Sequence, residues 1–274
     1  MIEKTLNNLL AVQTVSHNEQ AMVDWLVGYA AKHLDVLVKV DCHRNVYMVK
    51  GGGRTPTPCV AAHLDTVQPI RDGVHILEDR GRLIGVDKKN KQVGIGADDK
   101  AGIFVCLNML ERFDNIRAVF FAGEEVGCYG AKRSDAEFFN DVGYLIEYDC
   151  PSRNMLSYSS GGVRLFENDG AFIKTAVPVL TQYGTNLWQH HPYSDVMALR
   201  QRFPISCLNL SCGYYNWHQS NEFISLSDMD LAISEGEALI KVLGENNYPC
   251  PVSLVHETAS PIIPVTRLSV PDPS

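Results

Sequence analysis

Three short and almost unbroken apolar runs constrain this chain more than anything else in it: Cys59-Val60-Ala61-Ala62, Arg117-Ala118-Val119-Phe120-Phe121-Ala122 and Val142-Gly143-Tyr144-Leu145-Ile146. A strand that reads this way, without polar alternation, is covered on both faces, the condition of a parallel strand flanked by helices. Around the runs lie segments of helical period. Ile2, Leu6, Leu9 and Leu10 mark one, Met22, Val23, Leu26 and Ala30 mark a second over residues 19–33, and Ile103, Leu107 and Leu110 a third that ends near Arg112. Further helices are expected over residues 171–182, from Ser194-Asp195, and over 227–243, where Ser227 opens the turn with Asp228 and Asp230 behind it. Strands are expected at 36–40, 46–49 and 205–210, with a hairpin excursion at 74–77 and 82–84. At 274 residues with 45% hydrophobic side chains, the chain is able to bury a substantial α/β core.

Chemistry-bearing residues gather where the apolar runs stop, and open α/β sheets bind their ligands at the carboxyl ends of strands. His63-Leu64-Asp65-Thr66 follows the first run, Gly123-Glu124-Glu125 the second, and Asp149 the third. With period-2 alternation, His63 and Asp65 point to one side, so Asp65 is placed to accept the imidazole N–H. A lone His-x-Asp equally describes a satisfied buried pair, and an isolated Glu-Glu is more often a solvated turn. Between these segments sits Gly94-Ile95-Gly96-Ala97-Asp98-Asp99-Lys100-Ala101-Gly102, a doubled carboxylate in a glycine-rich turn that opens into an apolar helix. His218 comes late, inside Tyr214-Tyr215-Asn216-Trp217-His218. Imidazoles and carboxylates together are the donor set of a divalent transition metal. Adjacency makes the Glu124 and Glu125 carboxylates diverge, so one can hold a metal while the other faces a water.

The formal net charge is −8, against the basic surface that nucleic acid requires. No uninterrupted apolar stretch is long enough to cross a bilayer, so neither nucleic acid nor membrane is the expected partner, and a cytoplasmic location is the default. The eight cysteines are scattered without a Cys-x-x-Cys pair and read as buried thiols in a reducing compartment. Cys128 and Cys150 stand beside motif residues but have no activating partner nearby in sequence, so neither is assigned a role. From Pro249 the chain becomes proline-rich and aperiodic, which suggests a domain over residues 1–248 and a tail over 249–274.

Taken in chain order, His63-Leu64-Asp65-Thr66, Gly96-Ala97-Asp98-Asp99-Lys100, Gly123-Glu124-Glu125, Asp149 and His218 resemble the motifs of the co-catalytic two-zinc exopeptidases, the superfamily of leucyl aminopeptidases, glutamate carboxypeptidases and peptidase T. The resemblance spans nearly the whole chain. It implies a three-layer α/β/α fold around a mixed, mostly parallel sheet, and a small peptide or other amide as substrate. It implies two Zn2+ ions, with Mn2+ or Co2+ as substitutes: His63 and Asp149 on one, Glu125 and His218 on the other, and Asp98 bridging. Glu124 would be the general base, Asp65 the carboxylate behind His63, and the peptide after Asp98 would be cis. A bridging carboxylate suits two cations roughly 3.5–4 Å apart, because it offsets their repulsion while fixing their separation.

Departures from the family pattern also carry information. Many relatives insert a lid domain of roughly a hundred residues, and no interval between the motifs here holds one, so a single catalytic domain is expected. The oxyanion-binding histidine of some lids then has no counterpart. Lidless aminopeptidases use a tyrosine near the last histidine, where this chain has Trp217, leaving Tyr214 and Tyr215 as candidates beside a plain aromatic cluster. Asp195 and Glu222 match acidic positions expected to touch the substrate amine or the ligands, His190-His191 receives no role, and the loops at 68–70 and 157–163 are the expected side-chain readers. An amidase or deacylase on a non-peptide amide, or an inactive metal-binding interaction protein, would share this ligand set; a free Glu124 speaks against the last, since a structural metal has no use for a base.

Overall fold

The computed structural model describes residues 2–51 and 56–251. Helices α1 (Ile2–Ala11) and α2 (Gln20–His33) precede strands β1 (Leu37–Val40), β2 (Val46–Lys50) and β3 (Thr57–His63). Strands β4 (His75–Asp79), β5 (Arg82–Val86) and β6 (Gln92–Val93) lead into α3 (Ala97–Arg112) and β7 (Ile116–Phe121). Then come α4 (Ala136–Phe139), β8 (Val142–Cys150), β9 (Met155–Ser160), β10 (Val163–Arg164), α5 (Ala171–Tyr183) and β11 (Leu187–His191). The chain continues through α6 (Asp195–Arg200), β12 (Cys207–Ser211), β13 (Tyr214–Tyr215), β14 (Phe223–Ser225) and α7 (Leu226–Leu243).

The main sheet runs β1-β2-β7-β3-β8-β12-β9-β10, with β11 beside β9. Its centre, β7-β3-β8-β12, is parallel, and the outer strands β2 and β9 meet it antiparallel. This is the mixed, mostly parallel sheet the resemblance implied, with the parallel centre the apolar runs call for. Every residue of β3 and β8 is buried, as expected of strands covered on both faces. Because β7, β3 and β8 are parallel neighbours, their carboxyl ends lie side by side, and Glu124, His63 and Asp149 arrive together.

Helix α3 departs from a simple amphipathic stripe: all but its last two residues are buried. It packs on β3 and β8 and also meets α7 and α1, so both its faces are covered. Side chains such as Phe104 and Leu107 each contribute on the order of 1.5–3 kcal/mol by that burial. Gly102 permits the close approach, since a Cβ there would lie 2.1 Å from the Tyr148 carbonyl oxygen.

Some boundaries differ from expectation. Strand β8 continues through Asp149 to Cys150, because β12 pairs with it that far. The cap of α7 is Ser225, whose hydroxyl accepts from the Asp228 N–H, rather than Ser227. The hairpin excursion recruits β13 and β14 into a second, five-stranded sheet, a long-range pairing that no local pattern announces. Pro249 bridges to Ile205, and the Cys250 and Pro251 carbonyls accept from Arg200, so the start of the proline-rich segment lies on the main body. Residues 252–274 fall outside the described residues.

Candidate metal centre

Asp98 and Asp99 share a turn and divide its tasks. Their peptide bond is cis, as the resemblance implied, and both have non-helical dihedrals within the first turn of α3. Asp99 turns inward, where its carboxylate accepts from the His63 N–H at 3.1 Å and the Gly102 N–H at 3.0 Å. Asp98 turns outward between the two imidazoles. Its Oδ1 lies 3.0 Å from His63 Nε2, and its Oδ2 lies 3.3 Å from His218 Nε2.

Each imidazole has a further carboxylate of its own. Asp149 Oδ1 stands 3.4 Å from His63 Nε2, and Glu125 Oε1 stands 2.9 Å from His218 Nε2. The donor atoms of His63, Asp98 and Asp149 lie within 4.8 Å of one another, as do those of Asp98, Glu125 and His218. Asp98 is common to both groups. A third grouping of similar compactness joins His63, Glu124 and Glu125; it overlaps the other two and takes Glu125 from its 2.9 Å partner His218.

Asp65 does more than expected. Its main-chain oxygen lies 3.0 Å from His63 Nδ1, and its carboxylate stands 3.6 Å from the same nitrogen. That carboxylate also accepts from the Glu124 N–H at 3.0 Å, the Glu125 N–H at 3.3 Å and the Ser16 hydroxyl at 2.6 Å. Asp65 therefore fixes both the histidine and the turn that carries the two glutamates.

The electrostatics of the cluster call for cations. Burial raises the Glu124 carboxyl well above its ordinary range, and nearby Asp149 adds to the effect. Burial likewise raises Glu125 and Asp149. Hydrogen bonds to Asp98 and Glu125 push His218 up to about 10. Burial alone would lower His63, but Asp149, Asp65 and Asp98 outweigh it and hold the imidazole well above its usual value. Buried acids in such excess need compensating positive charge, and carboxylate oxygens with imidazole nitrogens are the donors that divalent metal ions take.

A cleft of about 260 Å³ opens onto the cluster, with Asp98, Glu124, Glu125, Asp149 and His218 in its wall. A larger cavity of about 830 Å³, lined by residues such as Arg112, Asn115 and Lys241, contains none of these groups. Of the further candidates, Tyr214 lines the cleft, although its hydroxyl is committed to the Asp149 carbonyl at 3.2 Å. Tyr215 does not line it; the ring stacks on Phe223 and the hydroxyl donates to Asp228, because alternation along β13 turns it away. Glu222 is buried and accepts from the Ile95 and Gly96 N–H groups at 2.9 and 2.7 Å, bracing the Asp98 turn instead of facing a substrate. Asp195 is fully buried and outside the cleft wall, and neither of its carboxylate oxygens has a hydrogen-bond partner among the described residues.

The cleft also contains residues to which sequence reasoning gave no role. Gln189, His190, His191, Pro192 and Tyr193 enter it from β11 and the turn after it, while Pro151 and Met155 enter from the segment after β8. The loop at 68–70 is not part of this wall; Gln68 and Pro69 line a separate small cavity. Tyr193 is the missed residue with the plainest chemical meaning. Burial and the charges of Glu124 and Glu125 push its phenol up to about 12, so it remains an O–H donor in the wall that also carries both glutamates.

The sequence model of peptidase family M28 matches the chain over residues 45–242. Among solved structures, a tripeptidase from Staphylococcus aureus superposes with a TM-score of 0.75 at 16% identity, covering 88% of this chain and 97% of the other. The aminopeptidase PepT from Bacillus cereus gives 0.73 at 15% identity, covering 88% and 98%. The TET1 peptidase from Pyrococcus horikoshii gives 0.65 at 15% identity, covering 87% and 99%. At these identities the likeness is one of fold. No curated protein sequence matches the chain.

Proposed function

Because the chain belongs to peptidase family M28, we propose that it is a metal-dependent aminopeptidase that removes the first residue of peptides, built as one catalytic domain over residues 1–248 without a lid. One observation carries the reading: the two oxygens of Asp98 face different imidazoles, and each imidazole has its own further carboxylate. On this reading His63 and Asp149 hold one ion, Glu125 and His218 the other, and Asp98 is shared. Zinc is the proposed metal, with manganese or cobalt able to replace it. Two such ions, when bound, acidify a water and polarise the scissile carbonyl.

The rest is the work of the protein. Glu124 is buried in the cleft wall and, among the described residues, has no imidazole at hydrogen-bond distance, so its carboxylate is available to take the proton of the attacking water and return it to the leaving amine. Asp65 holds the Glu124 main chain in place for that transfer. Tyr193 lines the same cleft as Glu124 and keeps its proton at neutral pH, so it is the donor we assign to the oxygen that gains charge. Among the described residues no Lys or Arg lines the cleft, so none is placed there to hold a substrate carboxylate.

The test combines metal analysis with substrates whose amino terminus is free or acetylated. Two ions per chain and cleavage of free-amine substrates are expected. Glu124→Gln should keep both ions and lose about 10²–10⁴-fold in kcat. Cleavage confined to acetylated substrates, or a Glu124→Gln variant as fast as the parent, would overturn the reading.

A further inference from the structure

The turn that supplies His218 also exposes a large apolar side chain. Trp217 precedes the histidine and remains 47% exposed, and its indole stacks on no other ring among the described residues. Its flanking residues, Asn216 and His218, have φ of 54° and 63°, a left-handed conformation that is costly outside glycine and is retained where surrounding structure enforces it. Here the Gln219 N–H donates to the Asn216 carbonyl at 3.2 Å, and the Asn216 amide donates to the Asn221 carbonyl at 3.3 Å. Glu222 then ties the segment to the turn that bears Asp98. The indole is therefore presented at a fixed offset from the proposed ligands.

Trp217 lines the same cleft as Glu124 and Glu125, and two other segments complete the apolar part of that wall. Pro151 and Met155 form one. Pro192 and Tyr193 form the other, braced because His191 Nδ1 donates to the Tyr193 carbonyl at 2.6 Å and the Gly161 N–H donates to the His191 carbonyl at 2.9 Å. At about 260 Å³ the space falls below the roughly 300–1,000 Å³ of drug-sized pockets, which suits one amino-acid residue and the bond being cut. Apart from the proposed ligands and base, the polar groups in the wall include Tyr214, Gln189, His190 and His191, and His190 Nδ1 is engaged with the Ser159 hydroxyl at 2.9 Å. No guanidinium or ammonium group lies in the wall, among the described residues, to hold the carboxyl end of a short peptide.

We propose that Trp217 reads the first side chain of the substrate, forming with Tyr193 and Met155 a pocket for one aromatic or long apolar group, and that the cleft does not read the length of the peptide. The proposal rests on the aminopeptidase reading above.

The experiment uses the metal-loaded protein with p-nitroanilides of Phe, Ala and Asp, and with Phe-Gly and Phe-Gly-amide. The parent should favour Phe over Ala by about 10-fold or more in kcat/KM, the scale of a well-filled apolar pocket, and reject Asp. Trp217→Ala should collapse the Phe-to-Ala ratio to about 1–3, with the loss mainly in KM, and Trp217→Phe should restore most of it. Phe-Gly and its amide should react within a few-fold of each other. Phenylalaninol should change the tryptophan emission of the parent but not of Trp217→Ala. A Phe-to-Ala ratio unaffected by Trp217→Ala, or an advantage of about 30-fold or more for Phe-Gly over its amide, near 2 kcal/mol, overturns this proposal alone. A parent protein that cuts none of the free-amine substrates overturns it together with the aminopeptidase reading.

Discussion

Replacing Asp65 by Asn separates its role as an acceptor from its size. Its Oδ2 receives the Ser16 hydroxyl at 2.6 Å and the Glu125 N–H at 3.3 Å, and its Oδ1 receives the buried Glu124 N–H at 3.0 Å. An asparagine keeps one oxygen and turns the other into a donor. If the amide nitrogen takes the Oδ1 place, it faces the Glu124 N–H donor to donor. If it takes the Oδ2 place, Ser16 can rotate and accept, and only the Glu125 N–H is orphaned, so this is the cheaper orientation. The variant then loses one hydrogen bond to a charged acceptor, about 1.5–3 kcal/mol, and shifts the Glu124-Glu125 turn. Carboxylates behind metal ligands cost about 10–100-fold in metal affinity or activity when altered. Urea unfolding of the metal-free protein reads the first number, and metal titration with substrate turnover reads the second. An Asp65→Asn variant within 0.5 kcal/mol of the parent, roughly the noise of such comparisons, and with parental metal affinity would refute the claim that this carboxylate organises the site.

Two further outcomes follow from burial elsewhere. Glu235 is buried with its carboxylate on the Thr185 hydroxyl at 2.6 Å, and burial pushes it up to about 7 from an ordinary 4.5. A carboxyl raised in the fold favours the protonated native state, so its contribution is complete below pH 4.5 and is lost as pH rises through 7. Denaturation from pH 5 to 8 should show Glu235→Gln removing a decline of up to about 3 kcal/mol, and identical pH profiles would contradict it. Gly102→Ala should destabilise on the order of 2 kcal/mol by thermal melting, opposite to the gain of roughly 1 kcal/mol usual for alanine in a helix, because its Cβ would meet the Tyr148 carbonyl at 2.1 Å; a stabilised variant would show that α3 can move off β8.

How much of this was legible in the letters depends on how far each interaction reaches. The strands that carry His63, Glu124 and Asp149 could be read because burial on both faces writes itself as a continuous apolar run, and parallel neighbours bring their ends together whatever the loops do. Asp98 could be read because doubled acids in a glycine-rich turn are unusual without a counter-charge. His190, His191 and Tyr193 could not, since β11 is short and largely exposed, has no period, and reaches the cleft only by pairing with β9. The same limit explains Tyr215, whose direction depends on the register of β13 against β14, and Glu222, whose partners are main-chain N–H groups more than a hundred residues away. Asp195 shows what remains: its carboxylate sits wholly buried without a partner among the described residues, while burial raises its proton affinity. Local pattern thus supplied the acids and imidazoles, whereas the rest of the cleft wall was set by strand pairing, which is why the place of Trp217 and Tyr193 in one wall emerges only once the second sheet and β11 are in place.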